Sequence, residues 1–389
     1  MASQLMKIVL FTLLLASAST FEAFGAEADL SGHWKRPVDA SYGGPADDLY
    51  PESCAQCHKA QYDDWKAALH SKSVGPGLTA QLDAKADPQT AVSCYYCHAP
   101  LALQSEVIEK NGAGETTYAA NTGFDTRLQS SGVSCAACHV RKGGVFGPNG
   151  RSGQKDASNG HASNQADFFE KAEFCAACHQ LDEGYALNGK PLVNTYNEWK
   201  ESDYGKNNIT CQNCHMPGKR HLFRGIHDLQ MVKSGVTFEV KKSASKSGVI
   251  VNLRITNSGT GHYFPTYATP RVVVKGFLTD ANGKTLANTL KEGSIGRKVA
   301  LDLSEETSDT RIPPMGSYEF DYRIKRPVKA RELVIEVHVL PDEFYNGFFA
   351  SALRTLGSTM STLKLKEAYK NTSDSGYLLF REEIPLDPA

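Results

Sequence analysis

Cysteine occurs ten times in the 389 residues, and every one belongs to a Cys-x-x-Cys-His group: Cys54/Cys57/His58, Cys94/Cys97/His98, Cys135/Cys138/His139, Cys175/Cys178/His179 and Cys211/Cys214/His215. Two thiols at that spacing, followed at once by an imidazole, form the attachment signature of c-type haem. The thiols add across the two vinyl groups of the porphyrin, and the histidine meets the iron from below the ring. Paired cysteines alone would also suit zinc sites, redox dithiols or five disulfides. None of those needs a histidine after each second cysteine. With His at 12 of 389 positions, five coincidences have odds of about 3 in 10⁸. The pattern therefore predicts five covalently bound haem c groups, with His58, His98, His139, His179 and His215 as proximal iron ligands.

Each iron so held keeps one more axial position. A second histidine there makes a low-spin, low-potential carrier, whereas an open position admits a substrate. Seven histidines lie outside the motifs. His70 ends a helical pattern directly after the first motif. His221 and His227 follow the fifth, in Arg220-His-Leu-Phe-Arg-Gly-Ile-His227. His161 sits in a polar loop before the fourth, and His262 in the stretch Gly259-Thr-Gly-His-Tyr-Phe-Pro-Thr266. These five read as distal ligands, one for each iron. His33 reads as an ordinary surface residue, and His338, which alternates with Val334 and Glu336, as a solvent-face residue of a strand. No nucleophile or acid–base constellation accompanies them. Were the iron assigned to His161 or His262 left open, Tyr204, Arg220 and Tyr263 would be the conceivable proton donors beside it.

These residues need rigid elements to hold them. The motifs begin at 54, 94, 135, 175 and 211, a near-regular repeat that suggests stacked units. From Cys54 to His227 there are roughly 35 residues per haem, too few to wrap each in its own apolar core, so the haems themselves must form the core. Helical periodicity spans 60–70, with Trp65 and Leu69 on one face, and 167–179, leading into the fourth motif. Residues 142–165, rich in Gly, Ser and Asn, read as an irregular loop. Beyond residue 230 the pattern changes to short β-branched runs at 236–242, 249–257, 272–278, 317–324 and 333–340, with a hairpin signal at Asp280-Ala-Asn-Gly283. A short helix at 348–356 and a last strand at 376–384 complete the series. The fold class is α+β: a mainly helical, haem-cored cytochrome domain (51–230) followed by an antiparallel β-sandwich domain (231–389).

Formal charge is −1, from 42 basic and 43 acidic residues, which leaves no footprint for nucleic acid. Residues 1–26 read as a signal peptide, with Lys7 ahead of a short apolar core, and 27–50 as a polar arm. No apolar run is long enough for a membrane span. The expected location is the periplasm or the cell surface.

Several stretches carry a resemblance. Cys54-Ala-Gln-Cys-His58 followed by Tyr62-x-x-Trp65 and His70, Gly132-Val-Ser-Cys135-Ala-Ala-Cys-His139, Tyr196-Asn-Glu-Trp199, and Cys211-Gln-Asn-Cys-His-Met-Pro217 leading to Arg220-His-x-Phe-x-Gly-x-His227-Asp228 resemble the cytochrome c-554-type multihaem cytochromes. The resemblance covers about Cys54 to Asp228. It implies a mainly helical fold with haems in stacked pairs and His70, His221 and His227 as distal ligands. Ala68 stands where family members often have Ser, and five motifs exceed the four of the namesake. The lysine-ligated Cys-x-x-Cys-Lys motif of the pentahaem nitrite reductases is absent from the sequence.

The function expected is electron transfer through closely packed bis-histidine haems, between redox protein partners such as a quinol-linked donor and a periplasmic or surface acceptor. The alternative is a multihaem reductase with one five-coordinate haem acting on a small nitrogen, oxygen or sulfur compound. In a third reading the β domain docks onto a membrane complex or a second copy of the chain, as a homo-oligomer would.

Overall fold

Each attachment motif lies on or beside a short helix. The helices are Pro51–Ala55, Pro88–His98, Cys135–His139, Glu173–His179 and Cys211–His215. In a helical turn residues i and i+3 share a face, so the two thiols of a motif emerge together. In the last four the histidine is the final helical residue; in the first the chain bends, and His58 instead precedes the Lys59–Ala67 helix. Asp87 caps the second of these helices by accepting from Thr90 N at 3.0 Å, with Pro88 in its first turn. The computed structural model describes residues 49–83, 87–111, 116–141, 144–148, 163–244, 248–355 and 360–386. The signal segment, the polar arm up to residue 48, His33 and His161 lie outside them.

Both helical readings of the sequence are revised. The 60–70 helix stops at Ala67, Ala68 is extended (φ −77°, ψ 160°), and His70 rides a separate 3-10 turn, Leu69–Lys72. The break re-aims the chain. Trp65 is buried, donating from Nε1 to Val133 O at 2.7 Å, while Leu69 is 52% exposed. They do not share a face. The 167–179 stretch likewise divides at Lys171 into a 3-10 turn, Asp167–Glu170, and the motif helix. Within the 142–165 stretch Gly144–Gly147 pairs antiparallel with Val140–Arg141 and parallel with Ser163–Gln165.

After Asp228, which caps the Leu229–Gly235 helix by accepting from Met231 N at 2.7 Å, the chain becomes mostly strand. One antiparallel sheet has the order Lys291–Ile295, Arg271–Thr279, Glu332–Leu340, Tyr377–Pro385; another has the order Ser317–Lys325, Gly248–Asn257, Val236–Ala244. Period-2 burial along Gly248–Asn257 and Arg271–Thr279 is the pattern of strands with one face inward. Val251, Leu253 and Ile255 of one sheet join Val272, Val274 and Val337 of the other in a single apolar cluster, each such side chain contributing about 1.5–3 kcal/mol. The Lys291–Ile295 strand and the Arg297–Val299/Glu306–Asp309 hairpin, rich in Lys, Arg and Glu, escaped the sequence pattern because they bury little apolar surface.

The single helix expected at 348–356 is a pair, Glu343–Thr355 and Met360–Ser373. These helices reach across to the haem-motif half, where Phe349, Leu365 and Ala368 pack on Ala80. Gly77 is needed there, because a Cβ would stand 2.6 Å from Phe349 Cζ. A polar seam also joins the halves. Arg297 donates to Pro191 O (2.5 Å), Leu187 O (3.0 Å), Lys190 O (2.8 Å) and Glu306 (2.7 Å). Arg311 pairs with Glu198 at 2.7 Å and Asp309 at 2.9 Å.

Candidate redox sites

Four of the motif histidines, His98, His139, His179 and His215, each engage a partner through Nδ1. His98 Nδ1 donates to Ser73 O (2.8 Å), His139 Nδ1 to Phe146 O (2.7 Å) and His215 Nδ1 to Arg224 O (2.6 Å); His179 Nδ1 meets the Tyr267 hydroxyl. A proton fixed on Nδ1 leaves the lone pair on Nε2, the tautomer a metal ligand needs. Burial pushes the pKa of His139 down to about 4 and that of His179 to about 3, and lowers those of His98 and His215. These imidazoles are therefore neutral at pH 7.

Three of them face a second imidazole. Ring centroids are 6.2 Å apart for His179 and His70, 6.0 Å for His139 and His221, and 6.4 Å for His215 and His262, the last pair nearly parallel at 15°. An imidazole nitrogen sits about 2 Å from a first-row metal, so two rings facing one iron have centroids about 6 Å apart. Burial also lowers the pKa of His70, to about 4, and those of His221 and His262. The neutral donors, their separation and the paired thiols alongside fit haem c.

The second imidazoles come from three places. His70 is supplied by the re-aimed 3-10 turn. His221 is held by Asp64, which takes a bidentate pair from Arg220 (both contacts 2.6 Å) and accepts from His221 N at 3.1 Å. His262 comes from the sheet half, on a loop fixed by Asn257. That fully buried side chain donates to His262 O (2.8 Å) and Ile312 O (3.0 Å) and accepts from Thr260 Oγ1 (2.5 Å). Losing it strands buried carbonyls, at about 1–3 kcal/mol each. Asn257→Ala is expected to lower the unfolding free energy by that order and to disturb the absorption of the haem at the fifth motif, both visible in one unfolding titration followed in the Soret band.

Of the other predicted ligands, His161 lies outside the described residues, and His227 is directed to Asp342, Nε2 to Oδ2 2.9 Å. His338 pairs with Glu336 at 2.9 Å on its strand. The conceivable proton donors are engaged elsewhere. Arg220 is on Asp64, Tyr204 OH reaches Ser258 O at 3.4 Å, and the Tyr263 ring lies under Arg311 at 5.0 Å. Tyr267, Asn257 and Arg311 escape the sequence reading, because a lone polar residue in a β pattern carries no spacing signal; Glu198 lies within the Tyr196-Asn-Glu-Trp199 stretch but is not singled out there.

The sites adjoin one another. Cys54 of the first contacts Cys135 of the third, Cys97 of the second contacts Cys178 of the fourth, and Cys175 of the fourth contacts Cys211 of the fifth.

Helix-borne thiol pairs, each followed by an imidazole and most enclosed beside a second one, define a c-type cytochrome with several attachment sites. Residues 53–140 match the family model described as cytochrome c554 and c-prime. Cytochrome c-554 of Nitrosomonas europaea is 28% identical over 153 residues, 36% of this chain and 60% of that protein, so the chain spans less than two thirds of that relative. The crystal structure of a penta-heme cytochrome c552 from Thermochromatium tepidum shares the fold, with a TM-score of 0.62 at 20% identity over 86% of this chain and 98% of that one. The chain is a multihaem c-type cytochrome.

Proposed function

We propose that this chain is an exported pentahaem cytochrome that carries electrons through bis-histidine haems between redox protein partners. The observation that supports this best is the set of three motif histidines each faced by a second imidazole at 6.0–6.4 Å. In this reading Cys54, Cys57, Cys94, Cys97, Cys135, Cys138, Cys175, Cys178, Cys211 and Cys214 hold the porphyrins. His179/His70, His139/His221 and His215/His262 close three irons, while His58 and His98 bind the other two from below. Haem so held supplies one-electron chemistry, ferric to ferrous and back, with no substrate bond made or broken. The protein's part is to keep the imidazoles neutral, fix their tautomers and exclude water. The sheet half, read as a two-sheet sandwich with free edge strands, suits docking of a partner. Its seam with the haem half keeps His262 in place. Among the described residues no helix is long and apolar enough to cross a membrane; the export reading rests on the sequence of residues 1–26.

One contact favours the reductase alternative at a different iron. Asp342 holds His227 by Nε2, and Tyr345 lies near both Asp342 and Cys94 of the second site. An open iron would then belong to the second site, since His262 faces His215. Low-temperature EPR of the oxidised protein decides between the readings. Only low-spin signals, unchanged by nitrite, hydroxylamine or cyanide, are expected. A high-spin component of about one haem in five that shifts with those ligands would replace the carrier with the enzyme.

A further inference from the structure

The loop that brings His262 to the fifth site carries a second residue into the fourth. The Tyr267 hydroxyl is in hydrogen-bonding contact with His179 Nδ1, and the two rings lie end to end, centroids 6.2 Å apart and planes inclined by only 18°. At His98, His139 and His215 the same nitrogen meets a backbone carbonyl. Among these four the fourth site alone uses a side chain. With Nε2 turned to an iron, Nδ1 carries the proton and donates it to the phenol oxygen, and the phenol's own proton is left for the Thr195 hydroxyl, a hydrogen-bond partner of Tyr267.

The chemistry of that difference is direct. An amide carbonyl oxygen carries extra negative charge from peptide resonance, whereas a phenol oxygen draws the Nδ1 proton less strongly. The partner of the outer nitrogen sets how much electron density an imidazole gives its metal, and so the reduction potential.

We propose that Tyr267 is a positioning residue that sets the reduction potential of the fourth site through the Nδ1 hydrogen bond of His179. This rests on the bis-histidine reading above. It matters at this site more than at any other, because the fourth site adjoins two neighbours directly. Cys178 contacts Cys97 of the second site, Cys175 contacts Cys211 of the fifth, and Cys138 of the third lies near both. The first site joins through the third, by Cys54 and Cys135. The fourth site is thus the junction, and its potential decides whether an electron rests there or passes on. The anchoring of Tyr267 is firm: Thr266 Oγ1 lies 2.9 Å from Thr195 Oγ1 and donates to Glu198 at 2.7 Å. At Gly261 a Cβ would stand 3.0 Å from Tyr204 Cβ.

The test is a spectropotentiometric titration of the full holoprotein at fixed pH. Tyr267→Phe keeps the ring and removes the acceptor. One of the five one-electron steps is expected to move to more positive potential while the other four stay, with the haem-to-protein ratio unchanged. Thr195→Val, which frees the phenol proton without touching the ring, is expected to move the same step in the same direction by less. Five unmoved steps, a common shift of all five, or a negative shift of the affected step in Tyr267→Phe overturns the proposal. If Tyr267→Phe loses haem, Thr195→Val decides, and no shift there overturns it. Failure of the underlying ligation reading is separable, since it would show as high-spin iron in the unaltered protein.

Discussion

Alanine at both Cys175 and Cys178 is expected to lower the haem content by one and, on the pentahaem reading proposed above, to divide the remaining haems into groups that no longer equilibrate rapidly. The argument is one of adjacency. The fourth attachment site lies against the second and the fifth through thiol contacts, while the first meets the third. Without the fourth porphyrin the fifth and the second lose the neighbour they share. The first and third remain a pair. Haem-to-protein ratio from the alkaline pyridine spectrum checks the first part. Stopped-flow reduction checks the second, where a single fast phase in the unaltered protein should split into separate phases. The corresponding change at the first site, Cys54→Ala with Cys57→Ala, removes a haem at the end of the array and should leave the other four in rapid exchange. Equal effects of the two variants would refute the proposed layout.

Removal of Arg311 is expected to cost more stability than any other surface-distant substitution in the seam. Arg311 and Glu198 side chains are each 3% exposed, and the guanidinium donates to Glu198 Oε1 (2.7 Å), Thr266 O (2.8 Å) and Asp309 (both contacts 2.9 Å). Arg311→Ala leaves a buried carboxylate without its cation, a loss of about 3–5 kcal/mol. Burial already pushes the Glu198 carboxyl above its usual range despite the ion pair, so the variant should take up a proton there on folding. Glu198 also accepts from Tyr263 N (3.1 Å) and Thr266 Oγ1 (2.7 Å), so the loop holding His262 and Tyr267 should loosen as well. Thermal unfolding measures the first effect. Broadening of two of the low-spin EPR signals reports the second. Replacing both partners, Glu198→Gln with Arg311→Met, should recover much of the loss, because no charge is then buried alone.

The seam also fixes a pH dependence. Burial raises the Asp309 carboxyl, but hydrogen bonds and ion pairs from Arg311 and Lys190 outweigh it and hold it well below the ordinary carboxylate range. A depressed folded value means stability that is fully present above the unfolded value of about 3.9 and lost as pH falls towards the folded one. Acid should therefore part the two halves in that window.

The attachment chemistry was legible because covalent geometry imposes it on local spacing: two thiols and an imidazole must fall within one helical turn. The longer strands were legible for a similar reason, since a half-buried sheet imposes period 2, and Gly248–Asn257 obeys it. The partners of the imidazoles were not. His262 lies 47 residues beyond His215, and only the sheet half's closure upon the haem half brings the two rings to 6.4 Å. His70 follows the first motif in sequence, yet it faces the fourth, because Ala68 turns the chain. Tyr267 and Arg311 act through tertiary contacts that leave no periodic trace.

The origin of His262 has a consequence for how the molecule is made. The five thiol pairs are all synthesised before residue 216 and can receive porphyrin as the chain emerges. On the ligation proposed here, the fifth iron gains its second imidazole only when a segment translated later has folded against it. Spectral closure of that iron is then a signal of completed maturation, and a chain cut short after Asp228 would carry every cofactor and still be recognisable as unfinished.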